Sequence, residues 1–405
     1  MRMKKRLVSF VLAACLIFSS PMPGHAAGFK IGEVEWTIGG SAIMDAGWKR
    51  SDLGGVPQDS GQEDTRLDWY TEIPSNNRLN LKAVYENMTG YAEIGLGSSG
   101  VGTRHIYAAY AMNDANTLLI GQTNSLLSEA SPGQKLNNDG KLEGYGNLYA
   151  GRKPQLRFTH KQGDSLSFSL ALEDNRSAVS NSVASGSHID EQTMPAIMAA
   201  MAYKNAGLTL VPSAYFQRYT LKQNDALETT EDVTLSSWAL ALNGAFKTEI
   251  ATFSMEAWNG SNLSAIGIDK RPTQPNGTTK PSMVMGAPVA DESGNDIEDV
   301  TSMGGWLQVA IPFEKATFNI GAGYQRSNVE NSPSELYESE IETMGAFASV
   351  AVALAKGFTV QPEIAWLDHG SDARKTLAGS SVSYADGEND LGRDLYLGVH
   401  VQYDF

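Results

Sequence analysis

A few groups of residues in this chain have the types and spacings that chemistry uses. Gly95-Leu96-Gly97-Ser98-Ser99-Gly100 fits G-x-G-x-x-G, the loop that cradles phosphates. That use requires a helix after the loop and a ribose-binding acid further on, and neither pattern follows, so the segment reads as a tight hairpin loop. His105, His160, His188, His369 and His400 show no metal-ligand spacing. The acidic run from Asp291-Glu292 through Glu298-Asp299 lacks the register of a calcium loop and reads as a solvated outer loop. Ser, His and Asp are all present, but their presence alone defines no catalytic group. No catalytic residue, metal or cofactor is therefore assigned. The remaining group is cationic. Arg78 and Lys82 are four residues apart, and Gln155, Arg157, Thr159 and Lys161 are spaced by two. On extended chain each set shares one face, and a row of fixed charges facing water acts on ions and dipoles through its field.

The elements that must position these charges are strands. The last nine residues, LGVHVQYDF, place Leu397, Val399, Val401, Tyr403 and Phe405 on one face and Gly398, His400, Gln402 and Asp404 on the other. Ser165 to Glu173 and Thr317 to Gln325 alternate in the same way. Comparable runs begin near Trp36, Leu79, Ala92, Arg104, Leu118, Gln155, Ala196, Leu208, Ser237, Ala251, Trp306, Met344, Phe358 and Leu395, which makes sixteen. Those at Ala196 and Met344 are rich in Ala and Met, which also suit helices.

The connections alternate short and long. Short ones lie at Asn87-Met88-Thr89-Gly90, Asn113 to Asn116, Gln162-Gly163-Asp164, Lys204 to Gly207, Lys247-Thr248-Glu249, Pro312 to Lys315 and Ala355-Lys356-Gly357. Long polar ones include Lys49 to Asn77, Thr123 to Arg152, Asn175 to Gln192, Asn259 to Ser302 and His369 to Arg393. The fold class is accordingly all-β: a transmembrane, antiparallel, up-and-down β-barrel of 16 strands, apolar outward to lipid and polar inward to a water-filled lumen. A soluble β-sandwich is the alternative, and its loops would not alternate so regularly in length. Arg78, Lys82 and Glu86 then share the lumen face. Lys82 and Arg157 lie four residues above a short turn, roughly 10 Å above the rim.

Residues 1–26 read as a cleaved signal peptide. Arg2, Lys4, Lys5 and Arg6 precede an apolar run from Leu7 to Phe18, and Gly24-His25-Ala26 offers small residues for cleavage. Leu12-Ala13-Ala14-Cys15 also fits a lipoprotein box, against which the apolar run continues past the cysteine. Cys15 is the only cysteine, so residues 27–405 contain no disulfide or thiolate. The formal charge of −15 argues against nucleic acid as a partner. No apolar stretch after the signal reaches the roughly 18 residues of a spanning helix. No linker divides residues 27–405, which read as one barrel domain. Trp36, Trp48, Trp258, Trp306 and Trp366, with Tyr85, Tyr91, Tyr324 and Tyr403, fall near strand ends and suggest interfacial girdles or subunit contacts.

Two motifs carry a resemblance. Tyr403-Asp404-Phe405 on an alternating last strand resembles the C-terminal signature of bacterial outer-membrane porins. Gly121-Gln122-Thr123, a long polar loop and Arg152-Lys153-Pro154-Gln155-Leu156-Arg157-Phe158-Thr159 are similar to the fifth strand, constriction loop and sixth strand of trimeric, DcaP-like porins of Gram-negative bacteria. The resemblance implies that Tyr403 and Phe405 form an assembly signal for the outer-membrane barrel assembly machinery, and that the chain forms homotrimers. It also implies that the loop at about residues 123–152 folds inward, bringing Glu129, Asp139 and Glu143 toward a basic wall of Arg78, Lys82, Arg152 and Arg157. Opposed charges there would orient dipolar solutes.

The expected function is passive diffusion of small hydrophilic solutes, anionic ones included, across the outer membrane, without enzymatic chemistry. Lipid and lipopolysaccharide would be the surroundings; divalent-ion bridging of the latter at the acidic loop is the alternative to a solvated outer loop. Inward-facing Asp45, Glu93, Glu173, Glu256 and Glu363 favour a cation-preferring pore instead. A binding or adhesion barrel, or a barrel enzyme, is the alternative from another class, distinguished by whether the purified protein conducts ions.

Overall fold

Period-two alternation produces a strand wherever it occurs in the described chain. A computed structural model describes residues 27–52, 65–97, 100–127, 130–175, 190–192, 194–221, 232–266, 289–290, 297–329, 340–374, 387–390 and 392–405. The barrel strands are β1 (Val34–Asp52), β2 (Thr65–Glu72 continued by Arg78–Tyr85), β3 (Met88–Gly97), β4 (Gly100–Ala111), β5 (Asn116–Asn124), β6 (Arg152–Gln162), β7 (Leu166–Glu173) and β8 (Ala196–Asn205). They continue as β9 (Leu208–Leu221), β10 (Val233–Lys247), β11 (Thr252–Ser261), β12 (Val300–Pro312), β13 (Ala316–Val329), β14 (Glu340–Ala355), β15 (Phe358–Asp368) and β16 (Arg393–Asp404). Each pairs antiparallel with its neighbour in sequence. The sheet closes where β1 pairs with β16, from Ser41↔Asp404 to Asp52↔Arg393. Closure leaves no lengthwise edge in need of water, the condition for crossing hydrocarbon.

Large apolar side chains stand on the outer wall: Ile120 is 63% exposed, Leu240 58% and Leu307 65%. In water such a surface would drive association, whereas in a bilayer it is the solvated face. The short turns gather at one end, and those of two residues use left-handed backbone, as at Gly207 (φ 101) and Gly357 (φ 75), which makes so tight a reversal possible. The Ala-rich runs at Ala196 and Met344 are strands, because ladder pairing on both sides overrides helical propensity.

Several expectations are corrected. Thr65–Glu72, inside a segment read as loop, is strand paired to β1. The break before Arg78 contains Pro74, which cannot donate to a ladder. Asn77 bridges it by bonding the Ile43 amide and carbonyl through its side chain, at 2.5 and 2.9 Å. Glu86 lies in a turn (φ 49) beyond the end of β2, so alternation does not extend to it. A further strand, Ala27–Ile31, pairs with the start of β1 and stacks Phe29 on Trp36. Trp258 and Trp306 are not girdle residues, being only 4% and 2% exposed inside the barrel. Gly345 also faces the interior. The acidic run falls mostly outside the described residues. Gly97 pairs with Gly100 across the hairpin expected there.

Candidate functional site

The segment between β5 and β6 folds into the lumen and is held there by three kinds of contact. The first is apolar. Leu126, Leu127, Leu148 and Ala150 join Met198, Tyr215 and Trp258 in one buried cluster, and Ala130, Leu136 and Leu142 join Trp306, Phe347 and Tyr396 in another. The second is polar. Glu363 of β15 accepts the amides of Lys135 (2.9 Å) and Leu136 (2.8 Å). Glu256 of β11 accepts the Leu148 amide (2.8 Å) and the Trp306 indole N–H (3.0 Å). Glu72 accepts the Asn138 amide (3.0 Å), and Glu173 lies against Ser125 and the Leu126 amide. The third is a depression in the wall. A Cβ on Gly323 would collide with the Tyr145 carbonyl, and one on Gly345 would sit 3.0 Å from Leu142.

The loop's turn is unusual backbone. Asn137, Asn138, Asp139, Lys141 and Leu142 all have positive φ, from 50° to 67°. Asn and Asp tolerate this conformation best, and the surroundings fix it. Tyr396 donates to Asn137 (3.2 Å), Asn138 accepts from the Ser75 amide (2.8 Å), and Asp139 accepts from Asn76 (2.6 Å). Asp139 also pairs with Lys135 and Lys141, each at 3.0 Å. Burial alone would raise its carboxyl, but those two ammonium charges and the Asn76 bond prevail and hold it well below the ordinary range. Lys141 is raised in turn, chiefly by Asp139, and burial pushes the Tyr145 phenol up.

The opposite wall, β2 to β6, carries the cations. Glu93 on β3 receives Arg104 Nε at 2.7 Å and the Tyr91 hydroxyl at 2.7 Å, with Arg78 Nε 3.9 Å away. Arg152 Nε donates to His105 Nε2 (3.2 Å), and the other ring nitrogen of His105 bonds Thr123 (3.0 Å). Lys82 lies directly opposite Tyr91. Arg157 is tied to the loop's root, to the Asn124 carbonyl (2.5 Å) and Gln155 (2.8 Å).

The structure thus gathers Arg78 and Arg152 about one carboxylate and places Lys82 beside them, while Arg157 stands apart. Asp139 is taken up by the loop's own lysines. Glu143 is half-buried on the loop, and Glu129 falls outside the described residues. Sequence reasoning missed Arg104 and His105 as partners. Adjacent strand residues should face opposite ways, but the register slips between Glu93 and Ile94, leaving Arg104 as the extra residue of a β-bulge, and both side chains turn inward. No local signal marks such a bulge. Of the inward carboxylates read as making an acidic lumen, Glu173, Glu256 and Glu363 are buried beneath the loop and Asp45 bonds His400 at 2.7 Å.

Fold and site together define a class: a membrane-spanning, sixteen-stranded barrel narrowed by an internal loop, which is the fold of the outer-membrane porins. No family model and no curated protein sequence matches the chain. Among solved structures, the chain is similar to the outer membrane channel DcaP of Acinetobacter baumannii, with a TM-score of 0.63 at 15% identity over 94% of this chain and 100% of that one. It is also similar to an anion-selective porin from Comamonas acidovorans (TM-score 0.56, 11% identity, 92% of this chain and 100% of that one). OmpF of Salmonella typhi, in complex with daunomycin, gives 0.53 at 13% identity over 94% and 100%.

Proposed function

We propose that this chain is an outer-membrane porin, exported by a signal at residues 1–26, that lets small hydrophilic solutes diffuse passively and favours anions. One observation carries the reading. Arg78, Arg104 and Arg152 gather on the lumen wall around the single carboxylate of Glu93, while Glu173, Glu256 and Glu363 are buried against the loop. A fixed cationic field at a narrow, poorly screened place raises local anion concentration. The fold supports the barrel; the porin from Comamonas acidovorans, described as anion-selective, supports the preference. A trimer form of OmpT of Vibrio cholerae, similar in fold (TM-score 0.55), supports a homotrimer.

The test is single-channel conductance with reversal potential in a salt gradient. The wild type conducts and its reversal potential indicates anions. Reversing both Lys82 and Arg157 to Glu moves that potential toward cations and slows uptake of anionic solutes without reducing the yield of folded barrel. Absence of conductance would overturn the porin reading. An unmoved potential would show that Lys82 and Arg157 do not line the narrowest point.

A further inference from the structure

Glu256 is a buried carboxylate with no counter-charge beside it. Its row on the inner wall runs from Asn243 of β10 through Glu256 of β11 to Trp306 of β12, each directly opposite the next in the ladder. Glu256 Oε2 accepts the Leu148 amide (2.8 Å) and the Trp306 indole N–H (3.0 Å), while Oε1 is enclosed and receives no hydrogen bond. Asn243 lies against this carboxylate and is fully buried, yet neither its amide oxygen nor its amide nitrogen is in hydrogen-bonding geometry with any group. Asn147 on the loop is also buried with both amide atoms unpartnered, and its peptide bond to Leu148 carries the N–H that reaches Oε2. Among the described residues, the other buried carboxylates, Asp45, Glu93, Asp139, Glu173, Glu363 and Asp394, each have a basic side chain nearby. Glu256 faces the Leu148 amide, the Trp306 indole and Asn243, none of which is charged. A buried charge is costly unless paired, and unpartnered buried amides in a folded chain call for a bound water or ion.

We infer that Glu256 Oε1 and the side-chain carbonyls of Asn243 and Asn147 form a site for a monovalent alkali cation such as sodium, which staples the inward loop to the barrel wall. The donor set is all oxygen, which suits a hard cation. One carboxylate balances one positive charge, whereas a divalent ion would leave an uncompensated charge in the same enclosure. Water would partner the amides but leave the carboxylate unbalanced. Neutral carbonyl oxygens take the place of the ion's hydration shell on its other sides. Glu256 and Asn243 belong to the wall and Asn147 to the loop, so the ion joins the two beside the contacts that the Gly146 carbonyl makes with Trp258 and the Leu148 amide with Glu256.

The experiment is titration of detergent-purified protein with sodium chloride against choline chloride at constant ionic strength, choline being too large for an enclosed site. Tryptophan emission is the readout, because the Trp306 indole bonds Glu256 and the Trp258 indole bonds the Gly146 carbonyl next to Asn147. The wild type is expected to show a saturable sodium response. Glu256→Gln, which keeps the shape and removes the charge, should lose it, and Asn243→Ala should raise the half-saturating sodium concentration about tenfold by removing one ligand. Heat-modifiable electrophoretic mobility reports whether the barrel is intact. If Glu256→Gln does not fold, Asn243→Ala is judged alone by the tenfold shift. No sodium response in folded wild type, the same response in a folded variant, or a response to calcium and not to sodium would overturn the proposal. So would an emission change that follows pH and ignores sodium, which would show a proton neutralising Glu256 instead. The titration requires no conduction, so its failure is distinct from a failure of the porin reading, which is judged by conductance.

Discussion

Phe405 closes the barrel on Gly40. The two residues exchange backbone hydrogen bonds, Gly40 N to Phe405 O at 3.0 Å and Phe405 N to Gly40 O at 3.1 Å. The Phe405 ring lies where a side chain on residue 40 would be, 2.7 Å from an added Cβ. Tyr403 stacks on the same ring at 5.9 Å. The terminal aromatic is thus seated in the seam between the first and last strands, and glycine at position 40 makes room for it.

Deleting Phe405 is therefore expected to lower outer-membrane levels and send the chain to periplasmic degradation. Gly40→Leu should reproduce part of that loss while leaving the terminal residues intact, because overpacking the seam costs about 1–3 kcal/mol. Val401→Asp, elsewhere on the same strand, should cost less than the deletion. The measurement is the amount of heat-modifiable barrel in membrane fractions, and unchanged levels after the deletion would refute the assembly role.

The Glu363 latch gives a second expectation. Glu363→Ala leaves the buried amides of Lys135 and Leu136 without an acceptor, at about 1–3 kcal/mol each. The loop should loosen while the barrel stays closed. Protease cutting within residues 130–151 should accelerate, and single-channel current should become noisier, with no change in heat-modifiable mobility.

Acid should act at the loop's turn. Asp139 is held below the ordinary carboxyl range, so the stabilisation it supplies is complete above its unfolded value and is lost as pH falls from about 4 through the lower folded value. Trp258 donates from its indole to the Gly146 carbonyl and reports on the loop. Tryptophan emission should shift below about pH 4 in the wild type, and Asp139→Asn should lose that transition.

The trimer is tested at the outer wall. Ala346 and Ala348 on β14 turn outward between buried Gly345, Phe347 and Ser349, giving a surface of small residues on which a neighbour could pack closely. Cross-linking in mild detergent is expected to trap three copies, and a clean monomer would refute it.

The sequence by itself determined the wall. Alternation from Trp36 to Phe405 and the short turns between strands sufficed to place all sixteen strands and to assign Leu79 and Leu81 outward and Arg78 and Lys82 inward, because strand geometry fixes the face of each residue from its neighbours alone. It did not determine which inward residues meet. Glu363 and Leu136 are 227 positions apart and Asp45 and His400 are 355 apart, and only closure of the barrel and docking of the loop bring them within hydrogen-bond reach. Trp258 and Trp306, read as girdle residues, became supports for the loop once it docked: Trp258 donates to the loop's Gly146 carbonyl, and Trp306 packs in one cluster with Leu136 and Leu142. Arg104 turned inward because one extra residue interrupts the ladder at Glu93, a choice made by pairing across strands that the period along a single strand does not contain.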